Sequence, residues 1–135
     1  MPHEKLIELY QACFPLKDAK KELQALGNDF KFEIESDESF IIYKIVSGTE
    51  AEIIDMGTSP GFRNKGHAAK LLRKTIAKLK KLKFKIIYLE VAANNIPAIK
   101  LYQNCGFKKY NVRKDYYQIN GEKIDAILMR NLFDL

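Results

Sequence analysis

"GFRNKGHAAKLL", residues Gly61 to Leu72, is the stretch on which the reading of the whole chain turns. It leaves an apolar, strand-like run, bends through glycine and positive charge, and becomes an amphipathic helical pattern. A turn of this kind exposes several unpaired backbone N–H groups at the positive end of a helix dipole, which suits phosphate. The plainer reading is a loop with glycine for its geometry and lysine for its wet surface. Two common phosphate loops are excluded, because there is neither a Gly-Lys-Ser/Thr ending nor a G-x-G-x-x-G. What remains is Arg63-x-x-Gly66-x-Ala68, in which small residues let a pyrophosphate approach the backbone.

Upstream, "EKLIELYQACF" puts Leu6, Leu9, Tyr10 and Cys13 on one helical stripe that Pro15 stops. "KDAKKELQALG" is a second short helix closed by Gly27. "FKFEIES" alternates apolar and charged residues as a half-wet strand, and "SFIIYKIVSGTEAEIIDMGT" reads as two strands around Ser47-Gly48. Downstream, "HAAKLLRKTIAKLKKLK" is an amphipathic helix and "KIIYLEV" a strand whose apolar run, broken only at Glu90, predicts cover on both faces. Asn94, Asn95 and Pro97 start a helix that Gly106 ends. A last hairpin turns at Asn120-Gly121. The order is helix, helix, three antiparallel strands, helix, strand, helix, hairpin. It predicts an α/β domain with a mixed sheet and one right-handed strand-helix-strand crossover.

The 135 residues predict a single domain over 1–135, and 47% hydrophobic with 30% charged residues describe a folded chain rather than a disordered one. A net charge of +6 favours an anionic ligand or partner without choosing among nucleotide, nucleic acid, ribosome and acidic protein. Cys13 and Cys105 have neither metal-ligand spacing nor a disulfide framework, which makes a reducing cytoplasm the expected setting. No apolar run approaches the roughly 18 residues of a membrane helix, and no secretory leader is legible at the N-terminus. Neither a metal nor a membrane is expected.

The turn, with "IIDMGTSPGF" before it and the amphipathic helix after it, resembles the acetyl-CoA signature of the GNAT superfamily of N-acetyltransferases. "YLEVAANNIPAIKLYQNCGFKKY" resembles that family's second signature. The tail "VRKDYYQINGEKIDAILM" is similar to the bacterial ribosomal-protein alanine N-acetyltransferase branch. The resemblance runs from about Glu52 to Met129. It implies the GNAT fold, a mostly antiparallel mixed sheet with flanking helices, whose usual first strand is short or absent here. It implies acetyl-CoA as cosubstrate. Met56, Gly57 and Thr58 would pair their backbone with the pantetheine arm, and an N–H there would polarise the acetyl carbonyl. Asn64, Lys65, Gly66, His67, Ala68 and Ala69 would wrap the pyrophosphate, with Arg63 leading into the turn. Asn95 would contact the lower pantetheine. Glu90 stands at the position of the general base and Tyr102 at that of the general acid. Arg63 stands where related enzymes often have Gln.

The chemistry of such a transfer agrees with the residues present. Moving an acetyl group from a thioester to an amine needs a neutral amine, a stabilised carbonyl oxygen and a proton for sulfur, but no enzyme nucleophile. The chain has no G-x-S-x-G elbow, and only His3 and His67 offer an imidazole. A protein α-amine is about a tenth neutral at pH 7 and a lysine about 0.04%, so a carboxylate base suits the α-amine better. Each residue also has a plainer role: Glu90 as a solvated strand-end carboxylate, Tyr102 as a core tyrosine, Asn95 as a helix cap, Cys105 as structural. Tyr116 and Tyr117 either pack an edge strand or line a peptide cleft.

The expectation is therefore an acetyl-CoA-dependent N-acetyltransferase acting on the N-terminal amine of a protein, with a ribosomal protein as the candidate, as monomer or dimer. A GNAT enzyme acting on a small amine (polyamine, amino acid or aminoglycoside) is the alternative. A non-catalytic ribosome- or RNA-binding module is suggested by the basic stretch from Lys65 to Lys85, although no aromatic-interleaved RNA motif accompanies it and lysines spread round a helix are usually a solvated face.

Overall fold

The computed structural model describes residues 3–133. Its elements follow the expected order: α1 (Glu4–Cys13), α2 (Ala19–Ala25), β1 (Phe30–Glu35), β2 (Ser39–Ile45), β3 (Glu50–Thr58), α3 (His67–Lys81), β4 (Ile86–Ala92), α4 (Ile96–Asn104), β5 (Lys108–Ile119) and β6 (Glu122–Leu132). The strands form one sheet in the order β1-β2-β3-β4-β6-β5. All neighbours are antiparallel except β3 and β4, which α3 joins as a crossover. The first described element is α1; no strand precedes it among the described residues.

Strand alternation sorts the apolar residues into two cores, one on each face of the sheet. Phe40 and Ile42 of β2 face α1 and α2, packing with Leu6, Leu9, Tyr10 and Leu23. Ile41 and Tyr43 face the other way, onto Leu71, Leu72, Ile76 and Leu79 of α3. Polar ties fix α3 across the sheet: Lys70 and Lys74 reach Glu35 at 3.1 and 2.9 Å, and Lys78 reaches Glu33 at 2.8 Å. Three lysines of the basic stretch are thus bound to β1, while Lys80 lies over the Phe133 ring.

One expectation needs correcting. The strand between two covered faces is β2, whose residues Ser39 to Tyr43 are all buried. In β4 only Ile87, Leu89 and Val91 are buried, and Ile86, Tyr88, Glu90 and Ala92 are half-exposed. The reason is reach: α1 and α2 cover β1 to β3, and among the described residues no helix covers β4, β6 and β5 on that side.

Candidate active site

β3 and β4 pair at only three positions, Glu50 with Ile86, Ala51 with Ile87 and Glu52 with Tyr88. Beyond them β3 continues along β2 to Thr58 and β4 along β6 to Ala92, so the two strands part. The parting leaves one edge of β3 without a strand partner from Ile53 onward, and unpaired N–H and C=O groups point into the gap. A register shift at Ile42/Tyr43, where Ile54 is the extra residue, bends β3 at that point. Gly57 belongs to the same construction, because a Cβ there would lie 2.9 Å from the Cys13 Sγ and 3.0 Å from Phe40. Its glycine lets α1 sit tight against the strand.

The gap opens into a cleft of about 700 Å³. From the expected cofactor set, Met56, Gly57, Thr58, Arg63, Asn64, Gly66, His67, Ala68, Ala69 and Asn95 all line it. Lys65 does not; its ammonium lies 5.8 Å from the centre of the Phe62 ring. The turn is built from left-handed residues, Gly61, Asn64 and Gly66, the last at φ 83° as the N-cap of α3. No side chain caps that helix, so its first amides stay available beside the small Ala68 and Ala69. Arg63 turns back on its own loop, its Nε donating to the Thr58 carbonyl at 2.8 Å, and so holds the turn against the end of β3. Of the three β3 amides, that of Met56 is already engaged by Asp55 Oδ1 at 3.0 Å. Asn95 caps α4, accepting from the Ala98 N–H at 3.3 Å, and lines the cleft as well.

Glu90 and Tyr102 are brought to the same cleft from β4 and α4. The Glu90 side chain is 26% exposed; it accepts from the Tyr117 hydroxyl at 3.0 Å and lies 3.5 Å from the Arg113 guanidinium. Irregularities in the β5–β6 pairing between Arg113 and Tyr117 reshape the hairpin there, and Tyr117 and Ile119 line the cleft. Tyr116 takes the other course, 51% exposed with the Arg113 guanidinium over its ring. Tyr102 packs in the core and lines the cleft at once. Its ring meets Phe107 edge-on in the core, at 6.0 Å between centres, and the residue also lines the cleft. Burial, with a smaller effect of Asp55, pushes its hydroxyl up to about 12, so the phenol stays protonated at neutral pH. Cys105 packs against the core beside α3, in keeping with a structural part.

Asp55 was missed in the sequence. It lines the cleft, and its Oδ2 accepts from the Tyr10 hydroxyl of α1 at 3.2 Å. Burial raises its carboxyl above the ordinary range, against the lowering by that hydroxyl, by Lys17 and by the Met56 N–H. The signal was present: Asp55 interrupts the apolar run of β3 as Glu90 interrupts that of β4. Among the described residues no group of three His, Cys, Asp or Glu is placed to hold a metal ion.

Known proteins resemble the chain in sequence and in fold. The acetyltransferase (GNAT) family profile matches residues 4–107. A ribosomal protein bS18 alanine N-acetyltransferase of Haemophilus ducreyi is 35% identical over 81 residues, 59% of this chain and 56% of its own length. The chain thus matches little more than half of that relative. The crystal structure of the ribosomal-protein-S18-alanine N-acetyltransferase from Escherichia coli superposes with a TM-score of 0.83, at 24% identity, over 97% of this chain and 87% of that one. A GNAT family acetyltransferase from Elizabethkingia anophelis with acetyl-CoA bound gives 0.71 at 19% identity, over 91% and 87%. At these identities the two structures establish the shared fold.

Proposed function

We propose that the chain, which belongs to the acetyltransferase (GNAT) family, transfers an acetyl group from acetyl-CoA to the N-terminal α-amine of a protein, a ribosomal protein being the candidate its relative suggests. The observation that carries this is the parting of β3 from β4 beside an uncapped helix start. An open strand edge matches the amide-bearing pantetheine arm, as an added strand does. The left-handed turn and the amides of α3 match its pyrophosphate. Bound there, acetyl-CoA supplies the acetyl thioester. Residues 56–58 receive the arm, with the Thr58 amide as the candidate to polarise the carbonyl, since the ladder turns that of Gly57 toward β2, and residues 64–69 receive the phosphates. Arg63 keeps the turn in place. Glu90, steadied by Tyr117 and Arg113, takes a proton from the acceptor ammonium, directly or through a water. Tyr102 holds the proton that the departing sulfur needs.

The basic stretch suggests a nucleic-acid module, but three of its lysines, Lys70, Lys74 and Lys78, are paired with Glu33 and Glu35 of the fold. The test is thiol release and product mass with acetyl-CoA and an Ala-starting peptide, compared with spermine. The peptide should be acetylated, and Glu90→Gln and Tyr102→Phe should keep affinity for CoA while cutting turnover by about 10²-fold or more. Unchanged turnover in both would remove the two residues from the mechanism; spermine acetylated in preference would move the acceptor to the small amines.

A further inference from the structure

Asp55 is a half-buried carboxylate lining the cleft to which the mechanism above gives no task. Its oxygens take the Tyr10 hydroxyl at 3.2 Å and the Met56 N–H at 3.0 Å. Both donors are neutral. Among the described residues no lysine or arginine lies at ion-pair distance from it. Lys17 acts on it from farther off, with its ammonium over the Phe14 ring. Glu90, also half-buried, has both a phenol and a guanidinium. A carboxylate partly withdrawn from water without a cation carries a cost, and a cation entering the cleft would relieve it.

Position says which cation. The β3–β4 register pairs Glu52 with Tyr88, and carried two residues further it would set Ile54 opposite Glu90. Asp55, next after the irregular Ile54, therefore stands across the parting from Glu90, and both line one cavity with Tyr102. Each strand contributes one acidic residue to the gap. An ammonium between them meets a carboxylate on either side.

We propose that Asp55 is a substrate-binding residue that accepts a hydrogen bond from the acceptor nitrogen, holding it while Glu90 removes its proton. This rests on the acetyl-transfer reading for Glu90. Two protons leave the nitrogen, one through Glu90 and one that balances the proton taken by sulfur; the N–H held by Asp55 is the one the product amide keeps. Tyr10 fixes the carboxylate from the α1 side. The competing reading is that Asp55 only ties β3 to α1.

Calorimetry separates the two, titrating an Ala-starting peptide and its N-acetylated form into CoA-saturated protein. Asp55→Asn keeps size and one acceptor oxygen, which can still take the Met56 N–H while the Tyr10 hydroxyl turns to accept from the new amide, but it removes the charge. It should weaken binding of the free-amine peptide by about tenfold or more, as loss of a charge-assisted hydrogen bond does. CoA affinity and binding of the acetylated peptide should not change. Tyr10→Phe keeps the charge and should hold amine binding within about twofold of the parent, even where its melting temperature falls. In turnover, the Asp55→Asn loss should appear in KM for the peptide and not in KM for acetyl-CoA. Equal amine binding by Asp55→Asn and the parent, equal losses in the two variants, or no preference of the parent for the free amine would each overturn the proposal. In the unaltered protein, the ¹³C resonance of the Asp55 carboxylate should move with the free-amine peptide and not with the acetylated one; no movement overturns it too. Thiol release is read separately, so a parent that binds amines through Asp55 without acetylating them would sink the reaction and leave this site standing.

Discussion

β2 and β4 look alike as sequence and differ as structure. "SFIIYKI" and "IIYLEVA" are both apolar runs of seven with one charged residue. Helices cover β2 on both faces and β4 on one. The difference teaches that an apolar run signals burial on at least one side, and that a charge within it is worth asking about. In β2 the charge, Lys44, sits near the end of the strand at the Ser47-Gly48 hairpin. In β4 it is Glu90, on the half-open face where the strands part.

Substitutions can break or sharpen this contrast. Phe40→Ala in β2 removes a fully buried ring between β2 and α1, and should cost about 3–5 kcal/mol in urea denaturation. Gly57→Ala pushes a methyl into Cys13 and Phe40, for about 1–3 kcal/mol, and adding Cys13→Ala should recover part of that loss. Acid tests the tie between α3 and β1. Hydrogen bonds from Lys74 and then Lys70 hold the Glu35 carboxyl below its ordinary value of 4.5. A depressed carboxyl stabilises above its unfolded value and loses that contribution as pH falls through the folded one. Melting temperature should therefore drop more steeply below pH 4.5 in the parent than in Glu35→Gln. Tyr88→Phe on the open face of β4 loses only a bond to Glu50 and should shift stability by about 1 kcal/mol or less.

Most elements were legible because their signals are local. Gly27, Gly106 and Asn120-Gly121 do adopt left-handed backbone where helix ends and a hairpin required it, and Asn95 does cap α4. The turn at 61–66 likewise has its left-handed residues. Residues whose parts depend on a distant partner were less legible. The sequence alone leaves Tyr117 between packing and cleft, because its hydroxyl reaches Glu90, 27 residues away. Lys65 counted with its neighbours in the loop, yet its side chain turns to Phe62. Asp55 was passed over because nothing near it in sequence hints at Tyr10.

Periodicity, caps and turns determined by themselves the kinds and order of the elements and the glycine-turned, uncapped start of α3, since each depends on residues within one or two turns of each other. Tertiary structure alone decided that β3 and β4 separate after three paired positions, that β2 rather than β4 is the doubly covered strand, and that Asp55, Glu90 and Tyr102 share one cavity. Those outcomes depend on how far each helix reaches across the sheet and on where a bulge bends a strand, and no short window of sequence encodes either.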